Sequence, residues 1–257
     1  MLVRSYLDRI GIEKIEDPSR KYLAELQNHH LRSIPFEDLD IPGKRIELDL
    51  EKIYNKIIST KRGGFCYELN GLFHWLLASL DFKVDMLSAR VFNSKKNEFG
   101  PEFDHMTLIV HLDKDYLVDV GFGDSFRIPL EFPKGEVEDI SGHYQLKQHE
   151  TSSIHNFINE KAFELLRENE NDWIPQYLFT LKPREFNDYK DMCDFQQDSP
   201  ASHFRTRMLC TIATEEGRIT LSNDSLTIKE DKTKNKISFE SKEEFNAYLK
   251  NYFDIEL

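Results

Sequence analysis

Lys61-Arg62-Gly63-Gly64-Phe65-Cys66-Tyr67-Glu68-Leu69-Asn70 opens the most apolar stretch of the chain, in which Leu69, Leu72, Phe73, Leu76, Leu77 and Leu80 recur at helix spacing. Two adjacent glycines allow a sharp turn, so Cys66 is expected at or near the first turn of this helix. A helix start offers unpaired amide donors and the positive end of the dipole. Both favour thiolate, and the same donors can receive a developing oxyanion. A helical cysteine is ordinarily a small packing residue. Its position after the double glycine sets Cys66 apart.

Towards the N-terminus the pattern stays helical. Val3, Tyr6, Leu7 and Ile10 form one stripe that Gly11 ends. Asp17-Pro18 is expected to open a second helix, with Pro18 in its first turn, Tyr22, Leu23 and Leu26 on its apolar face, and His29-His30 following it. Leu50–Ile58 supplies a third stripe through Leu50, Ile53, Tyr54, Ile57 and Ile58.

Towards the C-terminus, strands take over from Phe82. Expected strands run from Lys83 to Phe92, His105 to Leu112, Tyr116 to Val120, Tyr144 to Gln148 and Tyr177 to Leu181. Met106, Leu108 and Val110 share one face of the second. The polar Asn93–Phe103 segment reads as a loop at the entrance to a site. Residues 155–175 give no clear pattern, and Pro183 is expected to open a short helix through Phe195. From Met208 to Glu240, turn signals at Glu216-Gly217 and Asn223-Asp224 separate short strands. A closing helix carries Phe245, Tyr248, Leu249 and Phe253, with Ser241 and Glu244 as a capping box. The order implies an α+β fold: a helical domain over 1–80 carrying the nucleophile, a β-rich domain over 81–200, and an α/β unit over 201–257.

A nucleophilic thiol needs a base, and the base needs an orienter. His105 starts one strand and Asp119 lies on the next. A two-residue loop at Asp113-Lys114 would pair His105 with Phe122 and send Asp119 to the opposite face. A three-residue loop, Leu112 to Lys114, pairs His105 with Gly121. Asp119 then becomes a same-face diagonal neighbour about 7–8 Å away. A Cys-His-Asp set therefore demands the odd loop or a bulge.

Composition narrows the function. The 257 residues carry 34 basic and 46 acidic side chains, a net charge of −12, which argues against a dedicated nucleic-acid binder. Nineteen Phe and ten Tyr supply ample core. Three widely spaced cysteines, Cys66, Cys193 and Cys210, fit neither a disulfide framework nor a metal site. Cys193 and Cys210 are expected to pack, and no metal is needed. His111, His143, His149, His155 and His203 have no ligand pattern and are assigned to surface or core. The amphipathic N-terminus does not read as a secretory signal, no stretch approaches the roughly 20 apolar residues of a membrane span, and a reducing cytoplasm is the expected location.

Taken together, RGGFCYELN at 62–70, DHMTLIV at 104–110 and LVDVGFG at 117–123 resemble the arylamine N-acetyltransferase family, as does IPFEDL at 34–39. Family members commonly have Asn where this chain has Asp38. The resemblance implies a helical domain, a β-barrel-like domain and an α/β lid, with a cysteine-protease or transglutaminase-like triad where the first two meet. It implies Cys66 as nucleophile, His105 as base and Asp119 as orienter, with Phe36, Val91, Phe122 and Phe204 lining the acceptor pocket. It further implies acetyl-CoA as cosubstrate, no bound cofactor, arylamines or arylhydrazines as acceptors, and a role in xenobiotic metabolism. Arg62 and Glu68 read as structural ion-pairing groups, with Glu37 one partner for Arg62. Rival readings are an amide synthase using a carrier-bound acyl donor and a Cys-His-Asp hydrolase or transglutaminase-like enzyme.

Overall fold

The computed structural model describes residues 1–41, 43–149, 161–170, 172–231 and 233–257; His155 lies outside them. Its N-terminal third is helical. α1 (Val3–Arg9) ends at Gly11, whose φ of 72° suits glycine. α2 (Arg20–Ser33) begins after Ser19, which accepts a hydrogen bond from the Tyr22 amide. Pro18 therefore precedes the cap, and His29 and His30 lie inside the helix. α3 (Leu50–Tyr54) passes into a π-helical turn at Asn55–Ser59. α4 (Cys66–Ser79) is the central helix, buried almost all round. Leu69, Leu72, Phe73, Leu76, Leu77 and Leu80 all reach the core.

Between α2 and α3 lies β1 (Phe36–Glu37). The middle of the chain forms one antiparallel sheet from β2 (Lys83–Asn93), β3 (Glu98–Phe99), β4 (His105–His111), β5 (Asp115–Val118), β6 (Leu130–Glu131), β7 (Glu136–Asp139), β8 (Gly142–His149), β9 (Ala162–Asn169) and β10 (Asp172–Arg184). Its main path runs β6-β5-β4-β2-β10-β9-β8-β7, and the terminal strands β6 and β7 approach each other, so the sheet nearly closes into a barrel. β3 returns against β2, turning the expected 93–103 loop into a short hairpin. Pro183 sits within β10 where the pairing register shifts, so helix begins only at the 3-10 turn Phe186–Tyr189 and continues as α5 (Lys190–Asp198).

β4 is buried on both faces. Met106, Leu108 and Val110 pack on the helices, while Ile109 joins Leu87, Leu117, Tyr177 and Phe179 inside the barrel. This double burial explains its nearly continuous apolar sequence.

The C-terminal sheet runs β1-β11-β12-β13-β14, from β11 (Leu209–Ala213), β12 (Gly217–Ser222), β13 (Ser225–Glu230) and β14 (Thr233–Ser238). α6 (Lys242–Phe253) covers it through Phe245, Leu249 and Phe253, after the Ser241–Glu244 capping box. The architecture is α+β, and β1 ties the last sheet to the helical region. No helix among the described residues is long and apolar enough to cross a membrane.

Candidate active site

Cys66 is the first residue of α4, and Phe65 precedes it as the cap. The turn before them depends on close approach rather than on unusual glycine dihedrals. A Cβ on Gly63 would lie 2.2 Å from the Pro35 carbonyl oxygen, and positive φ occurs at Lys61 instead. The contact is backbone on backbone. Gly64 donates to Pro35 O at 3.2 Å, and Glu37 donates to Gly64 O at 2.9 Å. β1 is thereby laid against the residues that lead into Cys66.

Buried charges fix this corner. Arg62 donates to Glu37 at 2.7 Å and to Asp40 at 3.0 Å, while Lys56 reaches Asp40 and Glu68, each at 2.9 Å. Glu68 also accepts from the Phe65 amide at 2.8 Å, closing the first turn of α4. Arg62 and Glu68 are therefore ion-paired as expected, and Glu37 is an Arg62 partner. The surrounding carboxylates hold Lys56 firmly protonated despite its burial.

The β4–β5 register settles the loop question. Leu108 pairs with Val118 and His111 with Asp115, so Leu112, Asp113 and Lys114 form the three-residue loop. Continued to the strand ends, this register sets His105 opposite Gly121. His105 Nε2 lies 2.6 Å from Asp119 Oδ2, with both side chains buried. Asp119 Oδ1 accepts from Asn70 Nδ2 and from the Gly121 amide, each at 2.9 Å. Asn70 Oδ1 in turn accepts from the Val120 amide at 2.9 Å, and Nδ2 also donates to Met106 O at 2.7 Å. Asn70 thus joins α4, β4 and the segment after β5. Its position one helical turn beyond Cys66 is the sequence signal for this role. Gly121 makes the approach possible: a Cβ there would lie 2.6 Å from Asn70 Nδ2 and 2.8 Å from Cys66 O.

A cavity of about 200 Å³ opens beside these groups. Cys66 and His105 line it together with Phe36, Val91, Phe122 and Phe204. Sequence reasoning therefore named six side chains that meet at one cavity, while Asp119 stands behind His105. Phe204 meets Phe65 edge-on with 4.7 Å between centroids, and Phe122 meets His105 similarly at 5.1 Å. Asp38, Asp104, His203 and Arg207 also line it, and sequence reasoning gave none of them a place there. Tyr177, equally unanticipated, stacks obliquely against His105 at 5.4 Å and lies 3.3 Å from Thr107 Oγ1 through its hydroxyl.

The surroundings of Cys66 set burial against the helix start. Burial pushes the Cys66 thiol well above its ordinary range, and nearby acidic groups including Asp104 and Asp119 push the same way. These effects oppose the helix start. Thiolate is therefore favoured only when the proton stays nearby on a base. With the His105 Nε2–H directed to Asp119, the Nδ1 lone pair is the one left to accept a proton. Transfer creates a neutral thiolate–imidazolium pair, which burial penalises less than an isolated thiolate. The other two cysteines, Cys193 and Cys210, are free and buried.

Comparison with known proteins identifies the family. The N-acetyltransferase family profile matches residues 21–257. Arylamine N-acetyltransferase 2 of Mus musculus is 34% identical over 280 residues, spanning 100% of this chain and 95% of that protein. The crystal structure of arylamine N-acetyltransferase C from Bacillus anthracis shares 26% identity and a TM-score of 0.89, covering 99% of this chain and 98% of that one. An arylamine N-acetyltransferase from Bacillus cereus, at 25% identity, TM-score 0.87 and coverage of 99% and 98%, is described as having a unique Cys-His-Glu catalytic triad. The acid against His105 here is an aspartate. With the family profile spanning most of the chain and the relative aligned along its whole length, this chain belongs to the arylamine N-acetyltransferase family.

Proposed function

We propose that this protein transfers an acetyl group from acetyl-CoA to an arylamine, or an arylhydrazine, through an acetyl thioester on Cys66. The observation that carries the reading is the 2.6 Å His105–Asp119 contact beside an aromatic-lined cavity onto which Cys66 opens. In the first half-reaction, His105 Nδ1 takes the Cys66 proton and the thiolate attacks the acetyl carbonyl carbon. The new C–S bond forms, the bond to the CoA sulfur breaks, and the departing sulfur receives the proton from His105. One thioester replaces another, so little driving force is needed. In the second, the arylamine nitrogen attacks acetyl-Cys66, His105 accepts the nitrogen's proton, and the Cys66 sulfur leaves. Asp119 holds the imidazole tautomer and stabilises the imidazolium. Phe36, Val91, Phe122 and Phe204 offer the acceptor ring apolar and edge-on aromatic contacts.

The same reading supports a division into residues 1–80, 81–200 and 201–257, with the last segment covering the site. Three free cysteines favour a reducing compartment such as the cytoplasm. An acceptor drawn from aromatic amines fits a role in xenobiotic metabolism.

One thiol cannot hold the acetyl group and remain free, so CoA must leave before the amine is acetylated. Acetyl-CoA alone should release CoA in a burst limited to the enzyme present and add one acetyl mass to the Cys66 peptide. Adding an arylamine should restore the thiol and yield the amide, and initial rates should give parallel double-reciprocal lines. Intersecting lines with no trapped acetyl-enzyme would instead indicate direct transfer. A failure to release CoA with any amine would point to a different acyl donor or to hydrolysis.

A further inference from the structure

Asp38 is buried to 1% exposure, yet it lines the same cavity as Cys66. Its carboxylate is only partly used. Oδ1 accepts from the Leu209 amide at 2.6 Å, and among the described residues Oδ2 receives no hydrogen bond from another residue. A second acid, Asp104, lines the cavity with Oδ1 held by Gln196 Nε2 at 2.8 Å. The cations nearby do not balance them from within. Lys56 and Arg62 are engaged by Glu37, Asp40 and Glu68, while Arg207 and His203, which also line the cavity, are exposed. A buried charge acts through a lower effective dielectric than an exposed one, which water and salt screen. The inner field of the cavity is therefore acidic.

Resting on the acetyltransferase reading, we infer that Asp38 is an acceptor-selecting residue: its free carboxylate oxygen favours aromatic amines bearing a second, cationic or hydrogen-bond-donating group and disfavours those bearing a carboxylate. A cationic substituent gains a charge-assisted bond to Oδ2, whereas a carboxylate must be desolvated beside a like charge. The preference should also vary with pH. Burial and the neighbouring Glu37 push the Asp38 carboxyl up to about 7, against the Leu209 amide and Arg207, which pull it down. Asp38 is thus charged above neutrality and largely neutral below it. The other ionisable groups around it are Cys66, Asp104, His105, His203 and Cys210. Ionisation of Cys66 and His105 affects all acceptors and cancels in a ratio.

The test compares kcat/KM for para-aminobenzylamine, para-aminobenzoate and uncharged para-toluidine. The parent should prefer the cationic acceptor to the anionic one, and the ratio should fall severalfold from about pH 8 to about pH 6. Asp38→Asn keeps an oxygen for the Leu209 amide and removes the charge. It should cut the ratio by about tenfold at the higher pH and flatten its pH dependence. The dependence should persist in Asp104→Asn and His203→Gln, which keeps the inference testable should Asp38→Asn not fold. A folded Asp38→Asn protein with an unchanged ratio, or a pH dependence lost in either control instead, would overturn it. Absence of para-toluidine acetylation in the parent would count against the acetyltransferase reading itself, a separate outcome.

Discussion

Asp119 divides its two oxygens between two tasks. Oδ2 meets His105, while Oδ1 accepts from Asn70 and the Gly121 amide. Replacing it by Asn preserves size but removes the negative charge and presents an amide that can hold the wrong imidazole tautomer. Asp119→Asn should retain the parent's circular dichroism and melt within a few degrees of it, yet lose about two to four orders of magnitude in kcat/KM. A folded variant working at the parental rate would remove Asp119 from its assigned role. Because burial disfavours a lone Cys66 thiolate, the same variant should also slow iodoacetamide labelling of Cys66, an effect that simple loss of substrate binding would not produce.

Between elements, the decisive contact is that of the start of α4 with the segment following β5. No Cβ fits at Gly121, although its φ lies outside the left-handed region. Gly121→Ala should therefore act through volume, pushing the Asp119 segment away from Cys66 and Asn70. Its expected signature is a loss of about ten- to a hundredfold in kcat/KM at nearly unchanged secondary structure, because a small displacement of reacting groups is costly. Unaltered kcat/KM would show that this approach is not needed for catalysis. The π-helical turn after α3 contributes to the same junction, since it carries Lys56, whose Nζ engages Glu68 at the first turn of α4.

Across the molecule, Arg127 joins the barrel to the C-terminal sheet. It is 3% exposed; its Nε donates to Ser141 Oγ at 2.6 Å, Nη1 donates to Thr214 O at 2.6 Å, and Nη2 donates to Gly217 O. Burial, reinforced by nearby Arg218, pulls its pKa down to about 10, so it stays charged at neutral pH. Truncation would take the Arg127 donor from Thr214 O, leave Gly217 O with the Thr214 amide alone, and open a void. Arg127→Ala should cost about 2–4 kcal/mol in urea unfolding. It should also weaken activity through the lid, because Phe204 and Arg207 precede β11 of that sheet. A loss below about 0.5 kcal/mol would mean that the sheet is held chiefly by β1 pairing and apolar contact.

The sequence by itself determined the elements whose local signals are strong: α4 with its recurring leucines, β4 with its apolar run, and the capped α6. Local motifs also singled out Cys66, His105 and Asp119 as a candidate set, on condition of an odd loop or a bulge between β4 and β5, and the three-residue loop at Leu112–Lys114 meets that condition. Where two local signals competed, tertiary structure decided. Pro183 read as a helix start but lies in a strand, since a register shift accommodates its missing amide. Gly63 read as a turn glycine, whereas the neighbouring Pro35 carbonyl is what leaves no room for a side chain. The helix start favours thiolate at Cys66, whereas burial by several elements pushes the other way. Asp38, Asp104 and Arg207 are far apart in sequence, and only folding brings them to one cavity. Periodicity and capping are properties of neighbouring residues, so a sequence carries them directly. Desolvation, close approach and the field inside a cavity depend on what distant segments place there.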